Sequence, residues 1–425
     1  MEKVAPSTRL RQEVEKLLSP GPRPSEGDPA GELLRLAARV VLQEALEAEQ
    51  ADFIGRDRYE RQGSGERQGH RNGYEPAHLD TAEGRLEVKV PQVRGSEEPY
   101  RSKLMGFLGR HSEVLSKLAT EMYARGLSTR DIEDAFTDAT GACLLSRSAV
   151  SEVTETLWEE YEAFQKRDLS GYPVEYLFVD AVYESLRQQA GVKEAVLVAW
   201  GILSDGSKVL LHLDLGNKES HDAWLSFFRS MKGRGLADPV SVTTDGAPGL
   251  LRAVGECFPR SLRVRCWFHK MQNILSKLPQ SAFEEVRAHL RAVRDAPTYE
   301  AGQQAAKEVL QKFSGLYPSA MKSFEDDLEA SLSHLKLPAD HRVNCRTTNL
   351  VERGFLEERR RTKVLPRFFD EKSCLKLVFG TLLRASRRWR RITVTELQAA
   401  QLQRLRQELG QPPPPQRETP VSLAA

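Results

Sequence analysis

The sequence predicts an α/β fold class: a core on a mixed sheet, with an all-helical insertion and a mostly helical N-terminal region before it. Three observations carry this prediction. The runs Glu175 to Asp180, Ala195 to Leu203 and Lys208 to Leu215 are apolar and β-branched, and Asp205-Gly206 between the last two is a hairpin signal. Beyond them, strand patterns alternate with helical ones, which indicates strands that return beside the first in a mixed sheet. Between positions 279 and 341 the periodicity is helical throughout.

The elements follow in order. Positions 1–30, rich in Pro, Gly and Ser around Pro20 to Gly31, are expected to be flexible. Positions 31–110 hold a helix and a small strand region. The helix runs from Gly31 to Gly55 with Leu33, Leu34, Ala37, Val40, Val41 and Ala45 as its apolar face, and the strand pair lies on either side of Glu83-Gly84 with Leu86, Val88 and Val90 alternating. Positions 111–168 form a set of helices: Leu115 to Arg125, a break at Gly126, a capping-box start at Ser128-x-x-Asp131, and a third helix opening near Ser146. This order suits a helix-turn-helix that would place Arg130, Arg147, Ser148 and Ser151 at DNA, although an ordinary helical bundle fits the pattern equally well.

The sheet domain is assigned to 169–278 and 342–395. After the meander come a helix from Asp222 to Met231, the strand Val240 to Thr244, a helix from Pro248 to Phe258, a strand from Leu262 to Trp267 and a helix after Lys270. A meander followed by alternation is the pattern of a ribonuclease-H-like mixed sheet. In the insertion, 279–341, Ser281-x-x-Glu284 reads as a capping box, and two more helices follow Thr298 and Pro318. Positions 396–425 read as a C-terminal helix and a Pro-rich tail at Pro412 to Pro415.

Composition bounds the function classes. A chain of 425 residues with 40% hydrophobic and 29% charged residues is expected to form several soluble domains. No run approaches the roughly 18 apolar residues of a membrane span, and Met1 to Arg11 has no signal-peptide core, so a cytoplasmic location is expected. Five scattered cysteines without a CxxC argue against a disulfide framework or a zinc ribbon. The net charge of +2 conceals an asymmetry: from Glu352 to Arg391 there are 13 Lys/Arg against 5 Asp/Glu, a local net of +8. Arg353, Arg359, Arg360, Arg361, Lys363, Arg387 and Arg388 lie in that stretch. They are either a solvated helix face or contacts to nucleic-acid phosphates.

Three acids stand out against this background. Asp180 interrupts an apolar strand, where a carboxylate is costly without a partner or a metal. Asp245 closes a strand just before Gly246, at the edge where α/β sheets present ligand groups. Glu352, 107 positions later, sits in the first turn of a helix ahead of the arginines. Each has a structural alternative: a loop hydrogen bond, an Asp-Gly turn, and an Asn349-x-x-Glu352 capping box. Together they suit a two-metal phosphoryl-transfer site, since two hard Mg²⁺ ions, or Mn²⁺ in their place, prefer carboxylate oxygens. Cys266-x-x-His269 has metal-ligand spacing, but a zinc site would need further ligands.

Several uncommon strings then recur in order. They are Arg71-Asn72-Gly73-Tyr74, Leu86 to Pro91, Tyr123-Ala-Arg-Gly-Leu-Ser-Thr-Arg-Asp-Ile132, Ser148-Ala-Val-Ser151, the Asp180 strand through Tyr183 to Arg187, Thr244-Asp-Gly-Ala247 with Gly249, Cys266-x-x-His269 with Asn273, Thr347-Thr-Asn-x-x-Glu-Arg353, and Arg360-Arg-Thr-Lys363. From about Leu33 to Arg391 the chain resembles the Mutator-type transposases of bacterial insertion sequences. The resemblance implies a ribonuclease-H-like fold with a helical insertion and metal ligation by Asp180, Asp245 and Glu352. It also implies a core motif of Cys266, His269 and Asn273, with His269 near the scissile phosphate. It further implies binding to terminal inverted repeats and target DNA as a homodimer or larger assembly. A catalytically silent repressor or architectural protein, and a nuclease of the same fold, remain the alternatives.

Overall fold

The computed structural model describes residues 4–19, 28–56, 69–82, 84–109, 111–137, 143–186, 193–216, 220–362, 368, 370–387 and 389–415. Two compact units emerge: one of residues 1–123 and 127–156, the other of 124–126 and 157–425.

In the first unit, helix α1 (Pro6–Leu18) lies against helix α2 (Pro29–Ile54). The expected flexible N-terminus is therefore corrected over Pro6–Leu18: Pro6 opens the helix, Leu10 is buried, and Ser7 and Arg11 bond Glu47 and Glu44 of α2. Pro20 to Gly27 lie outside the described residues. Asp28 caps α2 by accepting from the Gly31 amide at 3.0 Å. Strands β1 (His70–Thr81) and β2 (Gly84–Arg94) pair antiparallel, as the alternation predicts. The expected apolar face of α2 is corrected in part. Leu34, Ala37, Val41 and Ala45 face solvent, while Gln43, Leu46, Gln50 and Ile54 are buried. The reason is the polar edge of β2. The Gln43 amide pairs with both N and O of Lys89 at 2.8 Å, and Gln50 donates to the Gln92 carbonyl at 2.9 Å, so a helix side covers an otherwise bare strand edge.

After the short α3 (Lys103–Leu108), helices α4 (Glu113–Ala124), α5 (Thr129–Ala135) and α6 (Arg147–Val153) follow. Leu115, Ala119, Ile132, Leu145 and Val150 form a small common core. The Ser128/Asp131 capping box is formed, and Ser146 caps α6 through the Ala149 amide.

The second unit opens with α7 (Thr156–Lys166) and a five-stranded sheet of β3 (Val174–Ser185), β4 (Lys193–Leu203), β5 (Lys208–Gly216), β6 (Ser241–Thr244) and β7 (Leu262–Arg265). Their order is β5-β4-β3-β6-β7, with β3, β4 and β5 antiparallel and β6 and β7 parallel to β3. This is the mixed sheet that the patterns predict. Helices α8 (His221–Gly233) and α9 (Pro248–Cys257) cover one face, where Leu177, Val179, Leu197 and Val242 pack with Trp224, Phe228 and Phe258. Each such side chain contributes roughly 1.5 to 3 kcal/mol when fully buried.

Helix α10 (Trp267–Leu275) begins three residues earlier than the sequence suggests, directly after β7. An all-helical stretch follows: α11 (Phe283–Arg294), α12 (Tyr299–Phe313), α13 (Pro318–Glu325) and α14 (Leu328–Leu332). Val286, Leu290, Val293, Val309, Phe313 and Phe324 give it a core that it shares with α10. The Ser281 capping box does not form, because a 3-10 turn occupies Gln280–Ala282 and α11 starts after it. Helices α15 (Ala339–Cys345), α16 (Asn349–Thr362) and α17 (Glu371–Ser386) return the chain to the sheet, and α18 (Glu396–Glu408) ends it.

Candidate active site on the α16 face of the sheet

Strand periodicity decides which acids meet. Leu177, Val179 and Val242 point into the α8/α9 core, so Phe178, Asp180, Thr243 and Asp245 take the opposite face. On that face Tyr176 bonds His341 of α15 at 2.6 Å, Thr243 donates to the Cys345 carbonyl at 2.8 Å, and α16 packs across β3 and β4. Phe178 pairs with Thr243 in parallel register, and Asp180 and Asp245 lie two residues further on, both near enough to His269 for their charges to raise its pKa. Both are half-buried.

Each aspartate is also oriented by backbone. Asp180 Oδ1 accepts from the Ala181 amide at 2.9 Å, and Asp245 Oδ1 accepts from the Ala247 amide at 3.0 Å, so the turn reading of Asp245-Gly246 holds alongside its place in the site. Gly246 has φ +90°, and a Cβ there would fall 2.2 Å from the guanidinium carbon of Arg265. Only glycine lets this buried arginine lie under the turn. Burial lowers the pKa of Arg265, and the charge of Asp245 opposes that fall. Arg265 escaped the sequence reading; the register that sets Thr244 opposite Arg265 is what brings it to Asp245.

Glu352 arrives differently. Its helix starts at Asn349, so the predicted Asn349 capping box is corrected: Thr348 precedes the helix, and its carbonyl accepts from the Glu352 amide at 3.0 Å. The buried Thr348 hydroxyl lies 3.0 Å from Glu352 Oε1 and 3.4 Å from Cys266 Sγ, and the Thr348 amide is 3.4 Å from the same sulfur. Thr348 is a second group that sequence reasoning missed, since it acts across 82 positions. Ligand atoms of Cys266, His269 and Glu352 all lie within 4.8 Å of one another, while Asp180 and Asp245 are not part of that group.

His269 joins the two halves. Its hydrogen bond with Cys266, reinforced by the charges of Cys266, Asp180 and Asp245, outweighs burial and pushes its pKa up to about 9. Burial pushes the Cys266 thiol up, but hydrogen bonds from His269 and Thr348 outweigh it and bring the thiol below its ordinary value. The surroundings thus favour the protonated imidazole at His269 and an acidified thiol at Cys266. The buried Nδ1 of His269 has no partner within the chain. Asn273, one turn further along α10, is exposed.

The basic residues divide. Arg353, Arg359 and Arg360 are exposed on α16, but Arg360 and Arg361 are both paired with Glu357, at 2.5 and 2.7 Å. Arg387 is exposed; Lys363 and Arg388 lie outside the described residues. In the first unit Arg130, Ser148 and Ser151 are exposed, and Arg147 is held by Glu133 at 2.6 Å.

Comparison with known proteins closes the question of ancestry. The model described as "Transposase, Mutator family" matches residues 11–391. The chain belongs to the Mutator family of transposases. Among curated Mutator-like relatives, the transposase for insertion sequence element ISRM5 of Rhizobium meliloti is 35% identical over 358 residues, covering 84% of this chain and 88% of the relative. That for element IS406 of Burkholderia multivorans is 33% identical over 365 residues, 85% and 92% of the two chains. The transposase for IS256 in transposon Tn4001 of Staphylococcus aureus is 27% identical over 353 residues, 82% and 89%. Among the described residues of this Mutator-family chain, no helix is long and apolar enough to cross a membrane.

Proposed function

We propose that the chain binds the terminal inverted repeats of its insertion sequence and catalyses metal-dependent cleavage and strand transfer of DNA, in the cytoplasm. The observation that supports this reading is that Asp180 and Asp245, each two residues past the paired Phe178 and Thr243 of parallel strands, follow the face against which α16, the helix of Glu352, packs. The strand order, three antiparallel strands with two parallel ones beside the first, supports a ribonuclease-H-like core, and the stretch from α11 to α14 supports a helical insertion between β7 and Glu352.

The donor set fits Mg²⁺: three carboxylates offer hard oxygens. Asp180, Asp245 and Glu352 would hold two such ions, which activate the attacking oxygen and stabilise the leaving one when bound. Thr348 holds Oε1 of Glu352 and so orients a carboxylate rather than touching DNA, while Arg265 adds its charge near Asp245. His269, whose pKa is raised by Cys266 and by the charges of Asp180 and Asp245, would offer positive charge to a phosphate oxygen. Arg353, Arg359 and Arg387 supply exposed charge for the backbone on one unit, and on the α5 and α6 helices of the other Arg130 supplies charge while Ser148 and Ser151 supply exposed hydroxyls. Synapsis of two ends calls for a homodimer or larger assembly, and the exposed Leu34 and Val41 of α2 offer apolar surface for it.

The test is strand transfer on duplexes carrying the inverted repeats that flank the gene, with Mg²⁺ or Mn²⁺ supplied. Wild-type protein should cut and join them, and Asp245→Ala should bind them without cutting. Binding with no metal-dependent cleavage by the wild type would instead favour a silent DNA-binding protein, and cleavage without joining a nuclease.

A further inference from the structure

Beside the acids lies a cavity of about 650 Å³. Its walls come from three places: one face of α10, with Phe268, Met271 and Leu275; the start of α11, with Phe283 and Arg287; and the junction of α15 and α16, with Arg346, Thr347 and Asn349. Two of these walls run straight into the site already described. Phe268 precedes His269 and meets its ring edge-on, centroids 5.4 Å apart. Thr347 and Asn349 flank Thr348, three residues or fewer from the turn that carries Glu352.

The floor is apolar and the rim is cationic. Phe268 is 53% exposed, a large ring left in water at the mouth of a cavity. Around it stand three guanidiniums against two carboxylates: Arg287 is paired with Glu284, while Arg294 and Arg346 share Asp295. One positive charge is therefore in excess.

An apolar slot with an open aromatic face and surplus positive charge at the lip matches one kind of occupant: a planar heterocycle attached to a phosphate. We infer that this cavity receives a single unpaired nucleotide of the DNA strand next to the cut, its base stacked on Phe268. The inference rests on the proposed DNA-cutting reading of the adjacent acids. A base drawn out of the duplex unstacks the step beside it, and the scissile phosphate is thereby turned toward the carboxylates. An apolar peptide side chain would fill the floor but leave the charged rim unanswered.

A cycle between one ring and one base tests it. End-containing duplexes are prepared with an abasic site moved one nucleotide at a time across the cut, and Mg²⁺-dependent cleavage is timed for wild type and Phe268→Ala. On fully paired ends the variant should be slower by roughly tenfold. At one position next to the cut, removing the base should bring the two proteins to the same rate, because the ring then has nothing to hold. A rate ratio that is unchanged at every position overturns the inference, and so does Phe268→Ala cutting paired ends at the wild-type rate; the first result would also be the mark of a displaced His269. Failure of the underlying function is visible separately, as no cleavage by the wild type or full cleavage by Asp245→Ala.

Discussion

Asp180 and Asp245 are held by a sheet, whereas Glu352 is held by a hydroxyl. The two aspartates inherit their places from backbone register on adjacent parallel strands, and each has an oxygen fixed by a following amide. Glu352 stands on a helix 107 positions later, steadied by Thr348, which in turn touches Cys266 at the end of β7. One half of the site is thus as rigid as the ladder beneath it, and the other depends on a side-chain relay. Adjustment during the reaction, when strands enter and leave, falls to the helical half.

That contrast can be broken from either side. The largest effect is expected from the rigid half. Asp180→Asn keeps the shape and the amide contact but removes the charge, so cleavage of end DNA should fall by about a thousandfold or more while end binding and thermal melting stay near wild type. A variant that melts early would mean that the charge is structural.

A smaller loss should follow from cutting the relay. Thr348→Val should slow cleavage by about 10 to 100-fold with little change in DNA affinity, and Thr348→Ser, which restores the hydroxyl, should recover most of it. Equal rates for valine and serine would show that Glu352 does not rely on this contact.

The smallest effect concerns the footing of α16. Glu358, fully buried on that helix, is pushed up to about 8 by burial and by the charge and hydrogen bond of Glu184. Its folded pKa lies above the ordinary 4.5, so the folded chain holds a proton that the unfolded chain releases between those values. Its contribution is present in full below about 4.5 and fades as pH rises through about 8. Glu358→Gln should therefore stabilise the protein by about 1 to 2 kcal/mol at pH 8.5 and by little at pH 5, read as a shift in melting temperature. A gain of the same size at both values would remove the titration from the explanation.

The two halves also differ in how much of them could be read in the chain. Asp180 and Asp245 announce themselves by breaking apolar strands, and the mixed sheet follows from where period two gives way to period 3.6. Thr348 and Arg265 carry no local signal, because their partners are set by pairing between segments. The capping boxes at Ser281 and Asn349 have the right residue spacing, yet the helices begin elsewhere, since a 3-10 turn and the preceding threonine take the ends first. On α2 the longest apolar stripe is the exposed one, because glutamines were needed at the edge of β2. The Pro and Gly content around Pro20 obscured the short helix before it. Arg360 and Arg361 look like free charge in a count, but Glu357 sits three and four residues earlier, where a helix makes them neighbours.

A last feature concerns time rather than space. Arg406 of α18 is buried against Glu175 at the foot of β3, its Nη2 3.0 Å from the carboxylate, across 231 positions of chain. A buried carboxylate without its cation is strongly destabilising. During synthesis at 5 to 20 residues per second, the central strand therefore waits roughly 10 to 50 seconds for its counter-charge. That pair is completed only when residue 406 has left the ribosome, so a product terminated before it lacks the cation that settles the central strand.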